Sequence, residues 1–472
     1  MKARRSAVLM VLTLLAACAA PAPASVQPTE PPLPTATATA TAAGTSTPSA
    51  VASPSGASEG FVPEADADRL LADLVALQEA ADANGGIRAT GTPGYDASVA
   101  HVASVLEGIG FEVDEPEVEY TAFSELPGSR LEVGGTVVEG TDELRALLYS
   151  GSGDVSGPVV ALEESGCAPG DFATFPRGAI ALTTLGGCFR RDQAINAEAA
   201  GAVALIVGYP DRGPGEIFRP TLIEPAAVDI PVASVTGATV DLLNEAGDAR
   251  LIVRTERTPG TFRNVIAQLG AGPSVVMLGA HLDSVLDGPG LNDNGSGVVA
   301  ILEIARRLAE EGVPEGWAVR IGLWGAEEFG AIGSRAYAGT VGDEVVAYLN
   351  LDMTGSVNGA NLVYAEAGAA PGSEAITAAY EAWFEGHGIE IGLTDAGGGS
   401  DHAGFIRAGI PTGGLFAGAT ESGGAANPST GRGEAMDPCY HIACDTVENV
   451  DLDRVAIFTD ATHAVLVDLM QR

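Results

Sequence analysis

The chain has 472 residues, 46% of them hydrophobic, enough to bury at least one large core and consistent with two or three domains. Acidic residues outnumber basic ones 62 to 24, for a formal net charge of -38. That balance argues against nucleic acid as a partner, because a phosphate binder needs a basic patch and none is visible.

The N-terminus places Lys2, Arg4 and Arg5 before an apolar run from Ala7 to Ala17. This pattern predicts an export signal over residues 1–17, too short for a membrane span of roughly 20 apolar residues. The run ends in Leu15-Ala16-Ala17-Cys18, which resembles a bacterial lipobox. The resemblance implies that Cys18 is acylated and becomes the first mature residue, anchoring the protein to the outer face of the cell membrane. Residues 18–60 are rich in Ala, Pro, Thr and Ser. Such a stretch has too little apolar bulk to offset its ordering entropy, so a disordered tether is expected there.

Residues 61–126 begin the folded part. Helical spacing runs over Ala65–Gln78 and Ala97–Gly108, with the turn-rich Arg88-Ala-Thr-Gly-Thr-Pro-Gly-Tyr95 between them and strand-like Phe111–Val113 after. Over 127–254 the character changes. Short apolar runs (Val159–Leu162, Ala179–Leu182, Ala202–Val207) alternate with Gly/Pro turns, one helix-like stretch covers Gln193–Ala200, and no histidine occurs. This reads as a small β-rich inserted domain without chemistry of its own. Residues 255–472 return to an α/β pattern, with strands at Asn264–Leu269, Ser274–Gly279, Val319–Trp324 and Val345–Leu351 and a helix from Gly297 to Glu311. These lengths predict a mixed, largely parallel sheet flanked by helices. Ligands of such sheets sit outside the carboxyl ends of the strands. Beyond Cys18, four cysteines allow three connectivities. Pairing by neighbourhood, Cys167 with Cys188 and Cys439 with Cys444, closes two local loops and suits an oxidising compartment.

Most of the chemistry-bearing residues fall at those strand ends. Gly279-Ala-His281-Leu-Asp283 puts His281 and Asp283 on one side of an extended segment. Asp293 follows in a Gly-rich turn just before a helix, where a capping role alone would be ordinary. Strand Val319–Trp324 leads into Glu327 and Glu328, and strand Val345–Leu351 into Asp352. Asp437-Pro-Cys-Tyr-His441-Ile-Ala-Cys444 sets a histidine inside a loop that a disulfide would lock. Each piece alone is weak. Together His281, Asp293, Glu328, Asp352 and His441 form an oxygen and nitrogen donor set that suits zinc, and one shared carboxylate gives three ligands to each of two ions. Glu327, adjacent carboxylate to a ligand, is then the expected general base toward a water held between the ions.

His281-x-Asp283, Asn292-Asp293-Asn294, Trp324-Gly-Ala-Glu327-Glu328, Asn350-Leu-Asp352-Met353 and Cys439-Tyr-His441-x-x-Cys444 resemble the motifs of the M28 family of co-catalytic zinc aminopeptidases, most closely the secreted leucine aminopeptidase type. The resemblance implies peptide substrates with a free N-terminus. It implies that His281 and Asp352 hold one zinc, Glu328 and His441 the other, with Asp293 bridging. It also makes Glu327 the base, Asp283 the partner of His281, and Tyr440 a stabiliser of the oxyanion. Asn196-Ala-Glu-Ala-Ala-Gly-Ala-Val-Ala-Leu-Ile206 in the insert resembles a protease-associated (PA) domain. One departure stands out: Gly399 occupies the place where many of the secreted enzymes carry a substrate-holding arginine, and neighbouring His402 reads as a loop-ordering residue. The other readings of the same pattern are a carboxypeptidase, a glutaminyl cyclase, or a non-catalytic binding protein.

Overall fold

The computed structural model describes residues 61–184, 186–365, 368–395, 398–420, 422–426 and 433–471. The export signal (1–17), Cys18 and the tether (18–60) lie outside the described residues.

Two eight-stranded sheets organise the chain. In the first, strands Trp317–Trp324, Ser274–His281, Val345–Asp352 and Thr412–Phe416 lie side by side and parallel, in that order. Antiparallel strands extend it on either side, Val265–Gly270 next to Trp317–Trp324 and Leu362–Tyr364 next to Thr412–Phe416. The central strands are largely apolar on both faces, Arg320 and Asn350 being the main exceptions before the strand ends. Alternation along Ser274–His281 separates two cores. Val276, Leu278 and Ala280 pack with Ile301 and Ile304 of helix Gly297–Glu311, while Val275 and Met277 pack with Trp324, Tyr348 and Phe405. Gly279 is required on the second face, since a Cβ there would run into the Tyr348 hydroxyl and the Trp324 ring.

The first two helices run over Ala67–Asp82 and Pro93–Gly108. The second begins four residues before the periodicity suggests, because Thr92 caps it and Pro93 occupies the first position, where a missing N–H costs nothing.

The insert leaves and re-enters through an antiparallel ribbon, Glu117–Glu125 against Thr255–Arg263, with Glu125 opposite Thr255. Its own sheet has a parallel centre of Gly153–Ala161, Ile180–Thr183, Ala204–Tyr209 and Val232–Thr236. Beside the expected helix (Arg190–Ala200) it carries a second, Gly237–Ala246, which buries Val240 and Leu243 and ends on the left-handed Gly247. The strands-and-turns reading of this region passed over that short helix. Cys167 is bonded to Cys188 and Cys439 to Cys444. No described helix is long and apolar enough to cross a membrane.

Candidate metal centre

Five chain segments deliver the sequence-predicted ligands to one end of the first sheet. His281 is the last residue of its strand, Asp352 the last of the next, and Glu327 and Glu328 follow Trp324, which is in register with His281. Asp293 comes from the turn Leu291–Ser296 and His441 from the loop closed by Cys439–Cys444.

The two oxygens of Asp293 face different imidazoles. Oδ1 lies 3.2 Å from His281 Nε2, and Oδ2 lies 3.1 Å from His441 Nε2. His281 Nε2 is also 3.5 Å from Asp352 Oδ1, and His441 Nε2 is 3.2 Å from Glu328 Oε2. Two triads result, His281–Asp293–Asp352 and Asp293–Glu328–His441, whose ligand atoms lie within 4.8 Å of one another in each set. His281, Glu327 and Glu328 form a third such group. Buried carboxylates this close repel and lack solvation unless cations sit among them. Glu328 Oε1 and Asp352 Oδ1 are buried without a hydrogen-bond partner, so the pocket holds acceptor capacity that the protein does not itself satisfy. Nitrogen and oxygen donors in two three-ligand sets fit zinc.

The electrostatics carry the same message. Burial opposes an ionised Asp293, yet hydrogen bonds from both histidines outweigh it and hold the carboxyl well below its ordinary value. Burial also opposes charge on His281, but the Asp293 and Asp352 carboxylates raise it well above the usual imidazole range. Glu327 is pushed well above the usual range by burial, helped by Glu328, Asp401 and Asp352 and opposed by His281.

A second ring of contacts fixes these groups. Asp352 Oδ2 accepts from Ser400 Oγ at 2.7 Å, ending a buried relay in which Trp324 Nε1 donates to Tyr348, Tyr348 to Asn350, and Asn350 to Ser400. Asn294 donates to Leu351 O and accepts from Met353 N–H, lacing the Asp293 turn to the Asp352 strand end. Asp445 accepts the main-chain N–H groups of Asn292 and Asp293 at 2.8 and 3.0 Å. Arg88, fully buried, donates to the carbonyls of Leu282, Pro289 and Gly290 and so pins both ends of the loop between His281 and Asp293. Its burial, partly offset by Asp445 and Asp283, lowers the guanidinium to about 10. Ala326, Met353 and His441 adopt left-handed backbone conformations next to or at ligands, a cost of about 1–3 kcal/mol each that the packing must sustain.

Asp283 meets His281 through its main chain. The His281 Nδ1 atom meets the main-chain oxygen of Asp283 at 3.0 Å, while the Asp283 carboxylate lies at 3.8 Å, beyond hydrogen-bond range. That carboxylate instead accepts the main-chain N–H of Glu327 at 3.1 Å. Burial, with Glu328 adding, pushes it up to about 7. Tyr440 stacks on the His441 ring at 3.8 Å, and burial together with Asp293, Glu328 and Glu327 pushes its hydroxyl well above 10. His402 is buried, its ring 4.8 Å from that of Tyr364. Gly399 is exposed in the loop leading to it.

The insert reaches the centre. Phe218 lies 5.9 Å from Tyr440 and 6.1 Å from His441, ring to ring. Next to it, Arg219 bonds Asp287, in the loop between His281 and Asp293, and Glu125 in the ribbon. Arg88, Ser400, Asp445 and Phe218 escaped the sequence reading. All four act through partners distant in the chain, and nothing in their local pattern distinguishes them.

Residues 264–466 match the profile of peptidase family M28, and residues 155–243 match the PA domain. Over 418 residues the chain is 38% identical to the probable lipoprotein aminopeptidase LpqL of Mycobacterium tuberculosis, covering 83% of this chain and 82% of that protein. It is 37% identical over 431 residues to an aminopeptidase of Pseudomonas aeruginosa, covering 84% and 79%. Among solved structures, BSAP, a zinc aminopeptidase from Bacillus subtilis, superposes with a TM-score of 0.67 at 26% identity, covering 87% of this chain and 96% of that one.

Proposed function

The chain belongs to peptidase family M28, and from that premise we propose how it works as a zinc aminopeptidase: with two ions per chain, sharing Asp293, and with Glu327 as base. The observation that carries the reading is the pair of Asp293 oxygens, one facing each histidine triad. His281 and Asp352 would hold one ion, Glu328 and His441 the other. Zinc bound there would supply Lewis-acid polarisation of a peptide carbonyl and acidify a water.

The protein's own groups supply the rest. Glu327 takes the proton of the attacking water and passes it to the departing amine. Asp283 holds the Glu327 main chain, whose carboxylate groups with His281 and Glu328. Tyr440 remains a protonated phenol at neutral pH, able to donate to the carbonyl oxygen as negative charge develops on it. The Ser400 relay and the Asp445 clamp hold Asp352 and Asp293 in place, so that little reorganisation accompanies the reaction.

Export and lipid anchoring through Cys18 belong to the same reading. The basic and apolar N-terminus, two disulfides, and similarity to a probable lipoprotein aminopeptidase support it. Residues 127–254 serve as the inserted PA-type domain between peptidase parts 61–126 and 255–472. The test is a panel of leucine peptides with free and N-acetylated termini, plus peptides starting with Gln. Release of leucine from the free peptides alone supports the reading; cleavage of the blocked ones, or cyclisation of the Gln peptides, overturns it.

A further inference from the structure

The insert segment between strands Ala204–Tyr209 and Val232–Thr236 is fastened to the peptidase part near the metal centre at three points. Phe218 packs on Tyr440 and His441, Arg219 bonds Asp287, and Ile223 lies against Gly330, two residues after Glu328. Arg212 belongs to the same segment. Its main chain is held at both ends, N–H to Tyr209 O at 3.1 Å and carbonyl from Gly237 N–H at 3.0 Å. Its guanidinium lies over the Phe218 ring, 5.1 Å from the centroid, and one N–H donates to Glu216 O at 2.9 Å. No carboxylate pairs with it among the described residues, in a chain where acidic groups outnumber basic ones 62 to 24.

We infer that Arg212 receives the C-terminal carboxylate of short peptide substrates, which makes it a specificity-determining residue contributed by the insert. The inference rests on the aminopeptidase reading. Through Phe218, the guanidinium is no more than about 11 Å from the His441 ring, and an extended peptide advances about 3.3 Å per residue. A first carbonyl at the metal centre and a carboxylate at Arg212 are therefore separated by about two further residues at most. A planar guanidinium with free N–H donors suits a carboxylate in geometry as well as charge. It also offsets the repulsion that so acidic a protein exerts on an anionic substrate.

The test compares Leu-Gly-Gly with Leu-Gly-Gly amide on the zinc-loaded wild type and on Arg212→Gln, with leucine p-nitroanilide as a substrate lacking a carboxylate. The wild type should favour the free acid in kcat/KM by about 10-fold or more, mainly through KM. Arg212→Gln should bring the ratio near one and leave anilide turnover unchanged, and Arg212→Lys should retain part of the preference. Equal use of acid and amide by the wild type would overturn the inference. So would a preference that survives in Arg212→Gln, or anilide turnover lost in that variant, which would mark a structural role. Absence of anilide turnover in the zinc-loaded wild type would instead overturn the aminopeptidase reading, and this inference with it.

Discussion

The Asp445 carboxylate accepts the main-chain N–H of Asp293 at 3.0 Å, so the residue that follows the Cys439–Cys444 disulfide positions the carboxylate that faces both histidines. The same carboxylate takes the N–H of Asn292 and an amide N–H of Asn449, and every donor around it is an N–H. Asp445→Asn keeps the shape and sets a donor against these donors. The expected loss is about 1–3 kcal/mol of stability, with weaker zinc retention. Unfolding midpoints and chelator titration check this, and a variant matching the wild type in both would remove Asp445 from the account.

Glu327 and Asp293 should separate chemistry from binding. Glu327→Gln leaves both ligand triads intact but cannot take a proton, so kcat should fall by about 10²–10⁴-fold with zinc content unchanged. Asp293→Ala removes an oxygen from both triads at once and should lose metal as well as activity. Elemental analysis beside turnover of leucine p-nitroanilide distinguishes the two outcomes.

Arg88 is a buried cation answering three carbonyls. Arg88→Met fills the volume and leaves those oxygens without donors, with a cost of more than about 3 kcal/mol. Denaturant unfolding at neutral pH should show it directly.

The contact between insert and peptidase should weaken in acid. Burial opposes an ionised Asp287, but Arg219 and Arg145 prevail and hold its carboxyl below the ordinary value of 3.8. A depressed folded value means that the stabilisation is complete above about pH 4 and is lost as the pH falls through the lower folded value. The stability difference between wild type and Arg219→Gln should therefore be constant from pH 7 to about 5 and shrink below about 4. A difference independent of pH down to 2.5 would deny Asp287 this role.

The parts of the centre that were legible in the sequence are those set by local pattern. His281, Glu328 and Asp352 stand at or just past the ends of apolar strands, and parallel strands put such ends on one edge. The loop histidine His441 was marked by its flanking cysteines. What stayed hidden depends on distant partners. A serine in a Gly-rich loop carries no sign that it will bond Asp352, and Asp445 looks like any acidic residue after a cysteine. The insert has no histidine to mark it, and the contact of its segment around Phe218 with Tyr440 and His441 joins residues far apart in the chain. Asp283 meets the His281 imidazole through its backbone oxygen, while its carboxylate accepts the Glu327 N–H, a division that local pattern does not show.

The central claim is that two zinc ions share Asp293 and that catalysis needs both. Titrating metal-free protein with zinc, while following bound metal and leucine p-nitroanilide turnover together, tests it most directly. The account predicts saturation at two ions per chain in the wild type, with full activity only as the second ion binds and neither ion retained by Asp293→Ala. Full activity reached with a single ion, or two ions still held by Asp293→Ala, would contradict it.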